Sequence, residues 1–286
     1  MSEHIVAATD GSRSALSAVR WAAGDAARRG VPLKIVHVSE SRLVDLPLRP
    51  PPGFHRTVTE HGRQVVEEAA GVARETAPGL EVSTSVVTGR PVDELRAEAE
   101  RSAQIVLGNR GLGGFAGLVA GSVSLGVAGH VSVPVVVVPQ VSIAPYGRIV
   151  VGYDGTAWSE AALDYAFRQA AGRGARLQAV YAWHMPALSP YAVPYSSLVE
   201  EVFCAHCATV RQMLAPWREK YPEVQMEETA VCAHPVAALR DAGAMADLVV
   251  VGSRGLGTLG CAVLGSVSHG VLRHARRPVA VVRGPG

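Results

Sequence analysis

The chain repeats itself at one fixed offset, and this repeat limits the folds open to it more than any other feature. Asp10-Gly11-Ser12 returns 144 positions later as Asp154-Gly155-Thr156, and Arg29-Gly30 returns as Arg173-Gly174. Further anchors keep the same offset without an insertion or deletion: Pro91-Val92 and Pro235-Val236, Leu95 and Leu239, Gly121-Ser122-Val123-Ser124 and Gly265-Ser266-Val267-Ser268, His130 and His274, Pro134 and Pro278. The sequence therefore predicts two copies of one fold, residues 1–139 and 147–286, with a short join from Pro139 to Gly147 that contains two prolines.

Each half alternates short apolar runs with stretches of helical periodicity. The predicted strands of the first half are residues 5–9, 33–38, 82–87, 105–107 and 135–138, and the predicted helices are 14–29, 58–76, 92–101 and 122–130. The second half repeats this order, with strands that include residues 149–153, 248–251 and 279–282. Strands that are apolar throughout and alternate with helices predict an α/β fold with a parallel sheet covered on both faces. Ligands of such sheets bind beyond the carboxyl ends of the strands.

Composition narrows the functional classes. Lysine and arginine together number 27 and aspartate and glutamate 25, so the net charge is only +2 and gives no reason to expect nucleic acid as a partner. The hydrophobic fraction of 48% supplies ample material for buried cores. The only lysines are Lys34 and Lys220, and neither follows a glycine and precedes Ser or Thr, which excludes a Walker A phosphate loop.

One segment imitates a membrane span. Residues 117–138 contain no charged side chain, but glycines, serines and Pro134 interrupt them, so a helix followed by a strand explains them better. The first residues lack the pattern of a secretory leader, and four cysteines are too few for a disulfide framework. We therefore expect a cytoplasmic protein without a membrane partner.

A glycine-rich motif follows the fourth predicted strand of each half. In the first half Gly108-Asn109-Arg110-Gly111 is followed, after nine residues, by Gly121-Ser122 at the start of a helix, and Gly252-Ser253-Arg254-Gly255 precedes Gly265-Ser266 in the same way. Glycines allow backbone N–H groups to approach phosphate oxygens closely, and a helix start offers N–H donors without backbone partners. Hydroxyl and guanidinium groups add donors at Ser122, Ser124, Ser266, Ser268, Arg110 and Arg254. The pattern favours a phosphate cradle, and a turn that merely packs tightly is the alternative.

This motif resembles the Gly-x2-Gly-x9-Gly-[Ser/Thr] signature of the universal stress protein family, in the subgroup that binds ATP. The resemblance covers nearly the whole chain and is closest to the tandem members of actinobacteria. It implies, in each half, a five-stranded parallel sheet of order 3-2-1-4-5 that holds one ATP, with Mg or Mn as an optional companion of the phosphates. It also implies a regulatory role under stress such as hypoxia, dormancy or growth arrest.

The resemblance assigns roles to particular residues. Asp10 and Asp154 are expected near the adenine and ribose, and Ala8 and Gly152 beneath the nucleotide. The backbone of Val38 and of Ala182 is expected to read the adenine edge. The phosphates are assigned to Gly108, Asn109, Arg110, Gly111, Gly113, Gly121, Ser122, Val123 and Ser124 in the first half, and to Gly252, Ser253, Arg254, Gly255, Gly257, Gly265, Ser266, Val267 and Ser268 in the second. Asn109 and Ala103 depart from the family pattern, which Ser253 and Asp247 fit better.

Several of these residues also have plainer interpretations. Asp10 and Asp154 each precede a helix and are suited to cap it, although the nearby glycine motif favours contact with a ligand. His37 is expected in the core or in a cleft wall. His130 and His274 suit the negative end of a helix dipole. Trp21 and Tyr165 are expected in the core, and residues 47–52 and 185–195 form long loops that either cover the nucleotide or are ordinary surface.

Cys204, His206 and Cys207 resemble part of a metal or redox site. The repeat does not share them, and no second cysteine pair completes a set of four ligands, so a buried helical face is the favoured interpretation.

No repeated arrangement of nucleophile and base emerges, so we expect a binding protein and no enzyme, with slow ATP hydrolysis left open. A homodimer is the expected assembly. The alternatives are an interaction module of the same fold without nucleotide, and a sensor of cyclic AMP.

Overall fold

Two sets of five parallel strands, each wrapped by helices, build the protein. The computed structural model describes residues 3–40, 54–111, 121–140, 145–183, 196–255 and 264–284. Contacts divide the chain into two compact units, the first built mainly from residues 1–142 and the second mainly from residues 143–286. The predictions for Gly113, Gly257 and the loops at 47–52 and 185–195 lie outside the described residues.

The first unit has a doubly wound order. Its elements are β1 (Ile5–Ala8), α1 (Arg13–Arg29), β2 (Leu33–Glu40), α2 (Phe54–Thr76), β3 (Val82–Gly89), α3 (Pro91–Ala99), β4 (Gln104–Gly108), α4 (Ser122–Ala128) and β5 (Val135–Val138). All four strand pairs are parallel and give the order β3-β2-β1-β4-β5. The strand order reverses between β2 and β4, on the two sides of β1, which is where ligands of such sheets bind.

The second unit repeats this arrangement. Its elements are β6 (Arg148–Gly152), α5 (Ala157–Arg173), β7 (Arg176–Trp183), α6 (Ser196–Lys220), β8 (Met226–Cys232), α7 (Pro235–Gly243), β9 (Leu248–Gly252), α8 (Ser266–His274) and β10 (Val279–Val282). The parallel pairs give the order β8-β7-β6-β9-β10, equivalent strand for strand to the first unit. The α/β fold predicted from the sequence is confirmed.

The first helix of each unit begins and ends for identifiable reasons. Ser12 and Thr156 are the N-caps, and their hydroxyl oxygens accept from the N–H of Ala15 and of Ser159. Each helix ends at a glycine in the left-handed region, Gly30 at φ 63° and Gly174 at φ 60°. Asp10 and Asp154 are therefore not the caps, which corrects the plainer interpretation of these two aspartates.

Element boundaries differ modestly from the predicted ones. The second helix of the first unit begins at Phe54 rather than at residue 58, and β2 continues to Glu40, so Val38 lies inside the strand. Helix α4 ends at Ala128, which leaves His130 in the turn that follows, where its ring Nδ1 lies 2.9 Å from the carbonyl oxygen of Gly126. Within the described residues, no helix is both long enough and apolar enough to cross a membrane.

The two units fill the space between their first and second helices differently. In the second unit the Phe167 ring stacks on Trp217 and Tyr221, with centroids 5.9 and 4.8 Å apart. The positions equivalent to these three rings hold Ala23, Ala73 and Ala77 in the first unit, all buried. Tyr165 is buried as predicted, whereas its equivalent Trp21 is only half-buried.

The departure from the family pattern at Ala103, where the second unit has Asp247, lies at the end of the sheet opposite to the glycine motif. Asp247 immediately precedes β9, at the end of that strand opposite to Gly252. Its carboxylate oxygens accept from the N–H of Tyr146 at 2.7 Å and of Gly147 at 2.9 Å, and so hold the chain that enters β6. The departure at Ala103 thus concerns the amino end of the sheet, away from the glycine motif.

Candidate functional site

A cavity of about 430 Å³ lies at the carboxyl ends of β1, β2 and β4 in the first unit. Such a volume falls in the range of small-molecule sites. Backbone and side chains from the strand ends, from the starts of α1, α3 and α4 and from α2 form its wall: Ala8, Thr9, Asp10, Ala15, Val36, His37, Val38, Glu40, His61, Pro91, Leu95, Leu107, Gly108, Arg110, Gly111, Gly121, Ser122, Val123 and Ser124.

An equivalent cavity of about 330 Å³ lies in the second unit. Every residue that lines it is the counterpart, 144 positions later, of a residue that lines the first: Gly152, Tyr153, Asp154, Ser159, Val180, Ala182, Pro235, Leu239, Val251, Gly252, Arg254, Gly255, Gly265, Ser266, Val267 and Ser268. Among the described residues, the wall of the first cavity has three members without a counterpart in the second, His37, Glu40 and His61, all of which are titratable. The two cavities thus share one wall, to which these three side chains are added in the first unit.

Most residues assigned to the site from sequence face these cavities. Among the described residues, Asn109 and Ser253 are the exceptions. Both are buried behind the glycine motif, and their backbones connect it to the sheet. The N–H of Asn109 donates to the Val138 carbonyl at 2.9 Å, and its carbonyl accepts from the N–H of Gly121 at 2.7 Å. The departure from the family pattern at Asn109 therefore lies outside the cavity wall.

Asp10 and Asp154 hold the turn after the first strand and touch the glycine motif. Asp10 Oδ1 accepts from the N–H of Ser12 at 3.0 Å, and Asp154 Oδ1 accepts from the N–H of Thr156 at 3.1 Å. The second oxygen of each carboxylate faces a glycine, since a Cβ added to Gly111 would lie 2.6 Å from Asp10 Oδ2 and one added to Gly255 would lie 2.7 Å from Asp154 Oδ2. A side chain at Gly111 or Gly255 would collide with this oxygen, so the neighbouring aspartate is the group that requires glycine at both positions.

Gly108 and Gly252 end the fourth strand against backbone of the first helix. A Cβ on Gly108 would lie 2.8 Å from the backbone nitrogen of Ala15, and one on Gly252 would lie 2.9 Å from the carbonyl oxygen of Trp158. Real Cβ atoms do not approach other atoms so closely. The close approach of strand and helix leaves the motif backbone at the cavity wall.

The serines of the motif divide into two kinds. Ser124 and Ser268 are buried, and each hydroxyl donates to the carbonyl of the strand-ending glycine, Gly108 at 2.8 Å and Gly252 at 2.7 Å. Their protons are therefore engaged. Ser122 and Ser266 are exposed at the first position of α4 and α8 and line the cavities. These two hydroxyls are the ones placed to donate to a ligand.

The first strand of each unit leads into a different polar residue. Thr9 follows β1, and its carbonyl oxygen lies 2.9 Å from the ring Nδ1 of His37, which places His37 in the cleft wall as predicted. The equivalent residue of the second unit is Tyr153, whose pKa is raised by burial and then by the negative charges of Glu160 and Asp154. Tyr153 therefore keeps its proton at neutral pH.

The cysteine cluster does not form the predicted buried face. Cys204 is exposed and Cys207 is half-buried, because this part of α6 lies at the surface, and Cys232 at the end of β8 is also exposed. His206 instead stacks on Trp183, with ring centroids 5.4 Å apart. Among the described residues, no three His, Cys, Asp or Glu side chains are grouped as a metal site requires.

Comparison with known proteins decides the family. A sequence model described as "Universal stress protein family" matches residues 1–139 and again residues 145–283. The chain belongs to the universal stress protein family. A universal stress protein of Mycobacterium tuberculosis is 35% identical over 291 residues, which cover 98% of this chain and 96% of the relative. The tandem organisation implied by the resemblance is thus confirmed.

Solved universal stress proteins share the fold. One from Archaeoglobus fulgidus superimposes with a TM-score of 0.70 at 23% identity, over 98% of this chain and 96% of that one. A universal stress protein solved in complex with cAMP matches 47% of this chain and 94% of its own, at 28% identity and a TM-score of 0.34.

Sequence reasoning missed part of the universal stress protein cavities. Pro91 and Leu95 of α3, and their counterparts Pro235 and Leu239, line both cavities. Their repetition at the common offset was visible, but apolar residues on a helix are ordinarily core. Glu40 and His61 carry no repeat signal, because the equivalent positions hold His184 and Ala205.

Proposed function

We propose that each half of the chain binds one adenine nucleotide, with ATP as the preferred ligand, and that the protein acts as a regulator in the stress response rather than as an enzyme. One observation carries the proposal: two cavities with a common wall, each bounded by a glycine motif whose side-chain-free backbone faces the ligand space. Because the wall is repeated residue by residue, the two units are expected to bind the same class of ligand.

The groups of each cavity suit a nucleotide. The β4 side of the first cavity offers Gly111, the exposed hydroxyl of Ser122 and the guanidinium of Arg110, which are donors for anionic oxygens. The β2 side offers apolar surface from the half-buried Val38, which suits a flat base. A base and a phosphate chain thus have complementary surfaces at opposite sides of one cavity.

Asp10 and Asp154 hold the two sides together in this proposal. Each carboxylate fixes the turn after the central strand and lies against the glycine motif, so it stands between the base side and the phosphate side. Bound nucleotide stabilises this arrangement, and a ligand that binds only the folded state at a hundredfold its Kd adds about 2.7 kcal/mol to the unfolding free energy.

Titration of the full chain with ATP by isothermal calorimetry tests the proposal. We expect two ligands per chain. Ser122→Trp and Ser266→Trp each place a large ring at an exposed position of one cavity wall, so each should reduce the stoichiometry to one, and the double variant should bind none. Glu68→Trp, at an exposed position of α2 outside the cavity walls, serves as the control and should keep both sites.

Other outcomes would contradict the proposal. Tighter binding of cyclic AMP than of ATP would make the protein a cyclic nucleotide sensor. Absence of heat with ATP, ADP, AMP and cyclic AMP would favour an interaction module. Steady release of phosphate that Ser122→Trp or Ser266→Trp abolishes would indicate an enzyme. A homodimer, a companion Mg or Mn ion and a cytoplasmic location remain predictions from the sequence.

A further inference from the structure

The glycine motif is anchored to the first helix in two different ways. In the first unit the carbonyl oxygen of Arg110 accepts hydrogen bonds from the hydroxyls of Ser14 and Ser12, the latter at 3.3 Å. Ser14 is buried, with 3% of its surface exposed. The backbone of the motif is therefore held to the first helix through the Arg110 carbonyl. The Arg110 side chain takes no part in this contact.

The second unit lacks this anchor. Trp158 stands at the position equivalent to Ser14, and the Thr156 hydroxyl donates to Asp154 Oδ1 at 2.6 Å instead of to the motif. The Arg254 guanidinium lies over the Trp158 ring, 5.1 Å from the ring centroid. Here the arginine side chain itself provides the contact between the motif and the helix.

The consequence is a different availability of two arginines that both line a cavity. In the described part of the chain, Arg110 is exposed and contacts no carboxylate or aromatic ring, so its guanidinium is available to a phosphate chain. The Arg254 guanidinium must move off the Trp158 ring, or bind a phosphate while still in contact with that ring. A cation over an aromatic ring gains free energy, and moving Arg254 off the half-buried Trp158 ring would cost that gain.

We propose that Arg110 is a specificity-determining residue that makes the first site select nucleoside triphosphates over monophosphates, and that Trp158 withholds Arg254 so that the second site selects between them less. This inference rests on the proposed nucleotide binding. The larger volume of the first cavity, about 430 Å³ against about 330 Å³, agrees with a longer ligand there.

Each site is read separately in the full chain. Ser266→Trp leaves the first site to be titrated with ATP and with AMP, and Ser122→Trp leaves the second. In the first background we expect Arg110→Gln to weaken ATP about tenfold and to change AMP little, because a charge-assisted hydrogen bond to the longer phosphate chain is lost. In the second background Arg254→Gln should weaken ATP by about threefold at most.

Removal of the ring gives the complementary test. Trp158→Leu keeps an apolar side chain at the start of α5 but removes the ring beneath Arg254. ATP affinity at the second site should therefore rise about threefold, while AMP affinity stays unchanged. Trp158→Ser, which restores the residue of the first unit, should act in the same direction. Circular dichroism and the thermal midpoint report whether either variant remains folded, and Trp158→Leu alone decides if the serine variant unfolds.

The possible failures are distinguishable. If neither nucleotide binds in either background, both this inference and the proposed function are overturned. If ATP binds but the two arginine variants change the ATP-to-AMP affinity ratio equally, or Trp158→Leu leaves that ratio unchanged at the second site, only this inference is overturned.

Discussion

The two halves of the chain build one cavity wall twice and then surround it with different side chains. In both, an aspartate fixes the turn after the central strand, and the glycine that ends the fourth strand lets the first helix approach closely. A buried serine hydroxyl then donates to the carbonyl of that glycine. Around this wall the first half places His37, Glu40 and His61, and the second half places Tyr153 and a tryptophan-bound arginine. Backbone geometry is kept while the side chains around the wall diverge.

The cores diverge in the same manner. Between the first two helices the first half uses small alanines, and the second uses a stack of Phe167, Trp217 and Tyr221 with Lys220 over the latter two rings. Small residues let the helices pack closely, whereas rings fill a wider space. The cavity wall survives both solutions because it depends on strand ends and glycines rather than on how these two helices pack.

The largest expected effect tests the shared part of this comparison. Gly108→Ala and Gly252→Ala should each destabilise the protein by about 2 kcal/mol, because the added methyl group meets backbone atoms of the first helix, which have no easy way to move. Differential scanning calorimetry of both variants measures the loss. Similar losses in the two halves would support a common wall.

Matched glycines provide the control for these substitutions. Gly71 on α2 and Gly172 on α5 have no atom within 4 Å of an added Cβ. Gly71→Ala and Gly172→Ala should therefore stabilise by about 0.5–1 kcal/mol, the ordinary gain of alanine within a helix. If Gly108→Ala or Gly252→Ala did not lower the free energy of unfolding, the strand and helix would be able to separate freely. That result would contradict a rigid common wall.

The repeat made much of this predictable. A single offset predicted both units, the parallel fold and the position of each glycine motif, since backbone requirements leave glycines and small hydroxyl residues at fixed spacing. It did not predict that Gly111 and Gly255 face an aspartate, because which atom a missing Cβ would meet depends on how two distant segments pack.

Residues outside the repeat were beyond such reasoning. Glu40 and His61 enter the first cavity because β2 extends further than its apolar run suggested and α2 passes the strand end. The motif assigns Asn109 to the phosphates through its spacing, yet its side chain is buried and does not line the cavity. Side-chain direction at a strand end is a tertiary property that spacing alone does not supply.

A smaller effect tests the part of the comparison that separates the halves. His61→Ala should weaken ATP about threefold at the first site and leave the second unchanged, because one hydrogen-bonding group is lost from a single cavity wall. Calorimetric titration in the Ser266→Trp and Ser122→Trp backgrounds measures each site. Equal weakening at both sites would contradict a distinct first cavity.

The smallest expected effect concerns an ionic cluster that only the second half has. Asp164 on α5 accepts from Lys220 at 2.7 Å and from the Tyr221 hydroxyl at 3.0 Å, both at the end of α6, where the first half has Thr76 and Ala77. Burial opposes ionisation of Asp164, but these bonds and the charge of Arg168 prevail and lower its pKa below the ordinary value. The cluster thus stabilises the second half above that value and ceases to do so as the pH falls through the lowered pKa.

Asp164→Asn should therefore reduce the thermal midpoint at pH 7 by about 1–2 °C, a modest value because the carboxylate is partly exposed and screened by solvent. The difference from the unmodified chain should narrow at pH 3, which lies below the ordinary pKa of an aspartate, because the native carboxyl group begins to be protonated as the pH falls toward its lowered pKa. Intrinsic tryptophan fluorescence, to which Trp217 contributes from its stack on Phe167, reports unfolding. Asp241→Asn, which breaks the more exposed pair with Arg240, should leave the midpoint unchanged at both pH values. If the Asp164→Asn difference at pH 3 were as large as the difference at pH 7, the contribution would be packing rather than charge, and the second half would differ from the first in shape alone.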